Sequence, residues 1–141
     1  MGWMGVHSQV DLGNKMLDRD HRQIFEDICE IQDLLLTGRK PTLIAPLLHT
    51  LERRCRVHFA LEEGMMMSTR YPQSTHHLLR HLGMMEDIQA LHSQFGHGDM
   101  TLVRNAMNVL TDSHLGHVGG EDLHFQLWLD IPQKRELRLA S

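Results

Sequence analysis

The chain is predicted to be all-α: an up-down-up-down antiparallel four-helix bundle with an N-terminal arm and a short C-terminal helical tail. Three observations predict it. Leu and Met together number 32 against 12 for Val and Ile, a balance that favours helix over sheet. Apolar or His positions recur at alternating steps of three and four in four successive segments, the period of a helix with one buried face. Short breaks carrying Gly or Pro separate the segments, so consecutive helices become antiparallel neighbours. With 141 residues, a single domain spanning 1–141 is the natural expectation.

Residues 1–14 carry Gly, Trp3 and polar side chains without a helical period and are expected to lie as an arm on the bundle. The bundle is expected across 15–122. Its first seam is Leu17, His21, Ile24, Ile28, Ile31 and Leu35, and Gly38 and Pro41 end that helix and begin the next. The second seam runs Leu47, Leu51, Cys55, His58, Glu62, Met65 and stops before Tyr71-Pro72. The third runs His77, His81, Met84, Ile88, Leu91, Phe95, with Gly96-His97-Gly98 as the turn after it. The fourth runs Val103, Met107, Leu110, His114, His117. The tail, 123–141, is expected to hold a short helix interrupted at Pro132, and no internal repeat or low-complexity tract is present.

Composition narrows the function. Hydrophobic and charged fractions of 41% and 23% are those of an ordinary globular chain. Fourteen Lys and Arg against 18 Asp and Glu leave a net charge of -4, which gives no electrostatic footprint for nucleic acid or an acidic membrane. No run approaches 18 apolar residues, and the opening MGWMGVHSQVDLGNK lacks the basic and apolar regions of a signal peptide, so a cytoplasmic location is expected. Cys29 and Cys55 are too few for a tetrathiolate site or a disulfide framework and are read as core thiols. The unusual feature is 12 His, and the function is sought there.

On the four seams, His21, His58, Glu62, His77, His81 and His117 all point inward. A lone His on an apolar face is more often a hydrogen-bonded core residue than a ligand. That reading weakens as the set grows, because no inward Lys or Arg compensates so many desolvated polar groups, whereas a metal satisfies all of them together. The pairs His58–Glu62 and His77–His81 have i, i+4 spacing, which puts both donors of each pair on one helix face. His76 is read as surface. Asp122 follows His117 by five residues, about 140° round a regular helix, and Gly119 and Gly120 supply the bulge or early helix end that turns it back. Five imidazoles and two carboxylates exceed what one four-coordinate zinc takes. Two six-coordinate irons sharing both carboxylates use them all and leave room for an exogenous ligand.

An early D-x-x-H from Asp18 to His21, H-x-x-x-E from His58 to Glu62 with Glu63 beside it, Tyr71-Pro72, H-x-x-x-H from His77 to His81, and H-x-x-x-x-D from His117 to Asp122 together resemble the hemerythrins, the bacterial ones in particular. The resemblance covers roughly residues 3 to 125. It implies an oxo- or hydroxo-bridged pair of iron ions, with His77, His81 and His117 on one iron, His21 and His58 on the other, Glu62 and Asp122 bridging, and an open position on the second. It also implies reversible binding of dioxygen by a carrier, store or scavenger, hence a binding protein rather than an enzyme. The alternative is an oxygen or redox sensory domain whose iron state alters an output domain or signalling partner, with the charged end IPQKRELRLAS as the start of a linker. A di-iron peroxidase or nitric-oxide-handling enzyme comes third.

The residues support binding over turnover. Phe25, Ile24 and Ile28 are expected to keep water and proton donors from the site, and no nucleophile–base pair or phosphate loop appears. One departure stands out: family members often carry Trp three residues before the last His, where this chain has His114. The bland reading is a seam-edge His bonded to backbone or water. The functional one is a residue that tunes the site or admits protons, in which case autoxidation is faster and His114→Trp slows it. His7, His49, His92, His97 and His124 show no partner pattern and are read as surface. Glu121 and His124 make one E-x-x-H where ferritin-like proteins need two, and Met65, Met66 and Met67 are read as packing rather than copper ligands.

Overall fold

Asn14 opens the first helix. Its side-chain oxygen accepts hydrogen bonds from the Met16 and Leu17 amides at 3.1 Å each, and Asp18 in the first turn complements the positive end of the helix dipole. The computed structural model describes residues 14–38 and 41–131, and the expected arm before Asn14 and the tail from Pro132 onward lie outside the described residues. Four long helices follow one another: α1 (Lys15–Leu36), α2 (Pro41–Ser68), α3 (Ser74–His97) and α4 (Met100–His117). A π-helical turn, Val118–Asp122, then leads directly into a short α5 (Leu123–Leu129).

The breaks are built from the residue types that terminate helices. After α1, Gly38 takes a left-handed φ of 66°, and α2 begins on Pro41, whose missing N–H costs nothing in a first turn. Beyond α2, Arg70 adopts φ 59° and the Tyr71 amide donates back to the Met66 carbonyl at 3.0 Å, which turns the chain toward α3. Gly98, at φ 77°, caps α3, and the Asp99 carboxylate accepts from the Thr101 and Leu102 amides to start α4.

Each long helix packs on the next, and α1 also packs on α4, so the four close into a ring, as the all-α bundle prediction requires. The core separates into two apolar zones. The larger contains Ile28, Ile31, Leu51, Ile88, Leu91 and Met107, all within 1% of full burial. The smaller gathers Met66, Tyr71, Phe125, Trp128 and Leu129 around α5. Between them, on the four long helices and the π turn, lie the polar residues singled out from the sequence. A fully buried side chain of this kind contributes about 1.5–3 kcal/mol, so the two zones hold the polar layer in place from both ends.

Three expectations shift. On α2 the buried positions are Leu48 and Met66, while the expected Leu47 and Met65 are half-buried; apolar neighbours at both ends of a 28-residue helix leave the seam ambiguous by one residue there. Phe95 is also half-buried, at the edge of the larger apolar zone two residues before α3 ends. Cys55 is a core thiol, pushed by burial up to about 12 and therefore inert, but Cys29 is only half-buried on the side of α1. Among the described residues no helix is long and apolar enough to cross a membrane.

Candidate metal centre

The seven residues expected to meet do so. His21 from α1, His58 and Glu62 from α2, His77 and His81 from α3, His117 from α4 and Asp122 from the π turn are all buried, none more than 3% exposed. Their donor atoms form two overlapping groups, Glu62, His77, His81, His117 and Asp122 in one and His21, His58, Glu62 and Asp122 in the other. The π turn is what admits Asp122. Its wider winding brings residue i+5 back over His117, as the Gly119-Gly120 pair suggested.

Both carboxylates divide their oxygens between the groups. Glu62 Oε1 lies 2.5 Å from His77 Nε2 and 3.1 Å from His81 Nε2, while its Oε2 is 3.5 Å from His58 Nε2. Asp122 Oδ1 lies 2.8 Å from His77 Nε2 and 3.0 Å from His117 Nε2, while its Oδ2 is 3.0 Å from His21 Nε2. Close as they are, His21 Nε2, His58 Nε2, His77 Nε2, Glu62 Oε2 and both Asp122 oxygens make no aligned hydrogen bond among the described residues. Lone pairs that crowd one another at these distances without pairing are aimed at a common third partner.

Three further carboxylates, at the edge of the site, fix which nitrogen faces inward. Asp20 accepts from His58 Nδ1 at 3.0 Å, Glu63 from His81 Nδ1 at 2.7 Å, and Glu121 from His117 Nδ1 at 3.2 Å. A carboxylate only accepts, so each Nδ1 carries a hydrogen, and Nε2 is the nitrogen that each ring turns toward the centre. Arg80 Nε in turn holds Glu121 at 2.7 Å. Sequence reasoning noted Glu63 but missed Asp20, and it weighed Glu121 only with His124. The i, i+4 spacing of His117 and Glu121 was a readable signal; the Asp20–His58 contact joins two helices and left none.

Electrostatics follow from this crowding. Burial disfavours a charged His58, but the hydrogen bond to Asp20 and the negative charge of Glu62 beside it outweigh it and raise the ring to about 9. Burial likewise opposes charge on His77, and Asp122 and Glu62 raise it to about 9. Burial pushes Glu62 and Asp122 up, yet the surrounding imidazoles hold both below the usual carboxylate range, Asp122 well below. His58 and His77 are thus held charged against the Glu62 and Asp122 carboxylates, and a cation bound here would take the place of their protons.

Aromatic rings wall the layer. Phe59 stacks on His81 with centroids 4.1 Å apart, and Phe125 meets the edge of His77 at 6.2 Å. Phe25, Ile24 and Ile28 are buried in the adjoining apolar zone. His114 is buried to 1% between Phe25 and Phe59, and neither of its nitrogens has a hydrogen-bond partner among the described residues, so the backbone bond of the bland reading is not found there. Burial, with His21 and His117 nearby, holds its basicity well below the ordinary value.

The other histidines lie away from the centre. His49, His76 and His97 are exposed, as expected, and His7 is outside the described residues. Two have partners that the sequence did not reveal: His92 ion-pairs with Glu52 at 3.1 Å, and exposed His124 hydrogen-bonds the Tyr71 hydroxyl. Glu121 faces His117 and Arg80, which removes the E-x-x-H reading. Of the three methionines after Glu62, Met66 is packed in the core and Met67 is 74% exposed.

The donor set suits a pair of metal ions. Its atoms are nitrogen and carboxylate oxygen, it is shared through both carboxylates, and its unpaired buried atoms are otherwise unexplained. Comparison with individual curated proteins and with solved structures returns no significant match. The model of one family does match, the hemerythrin HHE cation binding domain, over residues 12–129. The chain therefore belongs to the hemerythrin family of cation-binding domains.

Proposed function

We propose that this domain holds two iron ions and binds dioxygen reversibly, as an oxygen carrier, store or scavenger. The observation that carries the reading is the division of Glu62 and Asp122, each with one oxygen toward His77, His81 or His117 and the other toward His58 or His21. Iron at such a centre supplies the reversible electron transfer that holding dioxygen requires. The chain supplies the rest. His77, His81 and His117 would hold one ion and His21 and His58 the other, so the second set is one imidazole short and leaves room for an exogenous ligand. Asp20, Glu63 and Glu121 orient His58, His81 and His117, and the Phe59 and Phe125 rings exclude water. We place the activity in the cytoplasm, where the free thiols of Cys29 and Cys55 stay reduced.

The test is anaerobic reconstitution with ferrous iron, a metal count, and visible spectra on adding and removing oxygen. Two irons per chain with a reversible new absorption band support the reading. Two irons with irreversible oxidation favour redox sensing or enzymatic turnover instead, and failure to take up iron removes the ligand assignment.

A further inference from the structure

The His21/His58 set has two imidazoles where its neighbour has three, and beside it sits an imidazole that nothing uses. His114 lies one turn before His117 on α4, 1% exposed, with its ring 4.8 Å from Phe25 in edge contact and 6.4 Å from Phe59. Phe25 is one turn along α1 from His21, and Phe59 follows His58 on α2 while its ring stacks on His81 at 4.1 Å, so His114 adjoins the centre through this pair of rings. Its donor atoms are outside both ligand groups, and both of its nitrogens are unpartnered among the described residues. A buried polar group left unsatisfied destabilises the fold, and Leu or Phe would fill the space without that cost. Polar groups held at such a cost concentrate where a ligand completes them.

We propose that His114 is a ligand-contacting residue, which donates a hydrogen bond from its imidazole N–H to a small exogenous molecule held at the His21/His58 half: dioxygen, or a small anion of similar size. The inference rests on the two-metal reading above. A neutral imidazole always carries one N–H and one lone pair, so a donor is present without any change of protonation state. Placed among Phe25, Phe59 and the ligand histidines, that donor discriminates in favour of ligands that carry negative charge on a terminal atom. A purely apolar wall at the same position does not.

Azide serves as the probe. Wild type, His114→Leu and His114→Gln are loaded with iron, counted for metal, oxidised, and titrated with azide by absorption; the vibrational band of bound azide is recorded in H2O and D2O. With two irons in all three, His114→Leu is expected to bind azide about tenfold more weakly or worse, the loss of a hydrogen bond to a charged group. His114→Gln, which keeps an N–H donor, recovers most of the affinity, and the solvent-isotope shift of the band is present in wild type and gone in His114→Leu. A second readout needs no metal: in the metal-free chain His114→Leu raises the melting temperature, because it removes an unsatisfied buried group. Equal azide affinity and no isotope shift, with two irons bound, overturn the role of His114 and leave the two-metal reading intact. A lower melting temperature for metal-free His114→Leu also counts against it, by showing that the ring already has a structural partner. No iron uptake by wild type overturns the two-metal reading and this inference with it.

Discussion

The Nε2 atoms of His81 and His117 stand 3.1 Å apart, and each belongs to a ring whose Nδ1 hydrogen is already given to a carboxylate. Ring nitrogens at that distance attract one another only when a proton or a cation lies between them. A cation at that position would link α3 to α4 through these two rings. Loading with a divalent metal to about a thousand times its dissociation constant should stabilise the fold by about 4 kcal/mol, which for a domain of this size is roughly 10 °C or more in melting temperature. Calorimetry with and without chelator reads this directly; coincident melting curves would show that the layer needs no cation.

The outer carboxylates should matter for affinity though they touch no metal. Glu63→Ala and Glu121→Ala each release an imidazole from its fixed orientation, and removal of such a partner typically lowers metal affinity about 10–100-fold. Glu52 provides the control. It pairs with Arg56 and His92 away from the site, so Glu52→Ala should leave affinity unchanged in the same chelator competition. A loss of equal size in the control would mean that the effect is general destabilisation.

Acid should oppose metal uptake, with a definite sign and range. In the metal-free chain, burial works against the charged forms of His58 and His77, but their carboxylate neighbours raise both to about 9, so both rings are protonated at pH 7. A metal must displace those protons, so apparent affinity should climb with pH and level off above about 9. The same rings stabilise the metal-free fold below their unfolded value of 6.5, and that contribution is lost as pH rises through about 9. Proton release on metal addition in weak buffer, close to two per chain at pH 7 from this pair, tests the first statement. Melting of the metal-free chain between pH 6 and 10 tests the second.

The π turn can be tested by changing its length. Inserting Ala between Gly119 and Gly120 carries Asp122 about 100° further round the helix, away from His21 and His77. The variant should remain helical by circular dichroism yet bind less than two metals per chain, since one shared carboxylate is gone. Two metals bound with wild-type affinity would show that Asp122 is dispensable.

Much of this molecule is set by sequence alone, because it depends on local spacing. Steps of three and four fix the faces of α1, α3 and α4, and Gly38, Pro41, Gly98 and Asp99 mark where helices stop and start. The i, i+4 pairs His58–Glu62 and His77–His81 put donors on common faces, and Gly119-Gly120 signals the irregular turn before Asp122. What only the tertiary structure decided are relations between helices. Which oxygen of Glu62 and of Asp122 meets which imidazole, the capture of His58 Nδ1 by Asp20, and the enclosure of His114 between Phe25 on α1 and Phe59 on α2 all join residues far apart in the chain. Helical periodicity says which way a side chain faces, but the packing of the four helices determines what it faces, and the chemistry of this site is set by those cross-helix contacts.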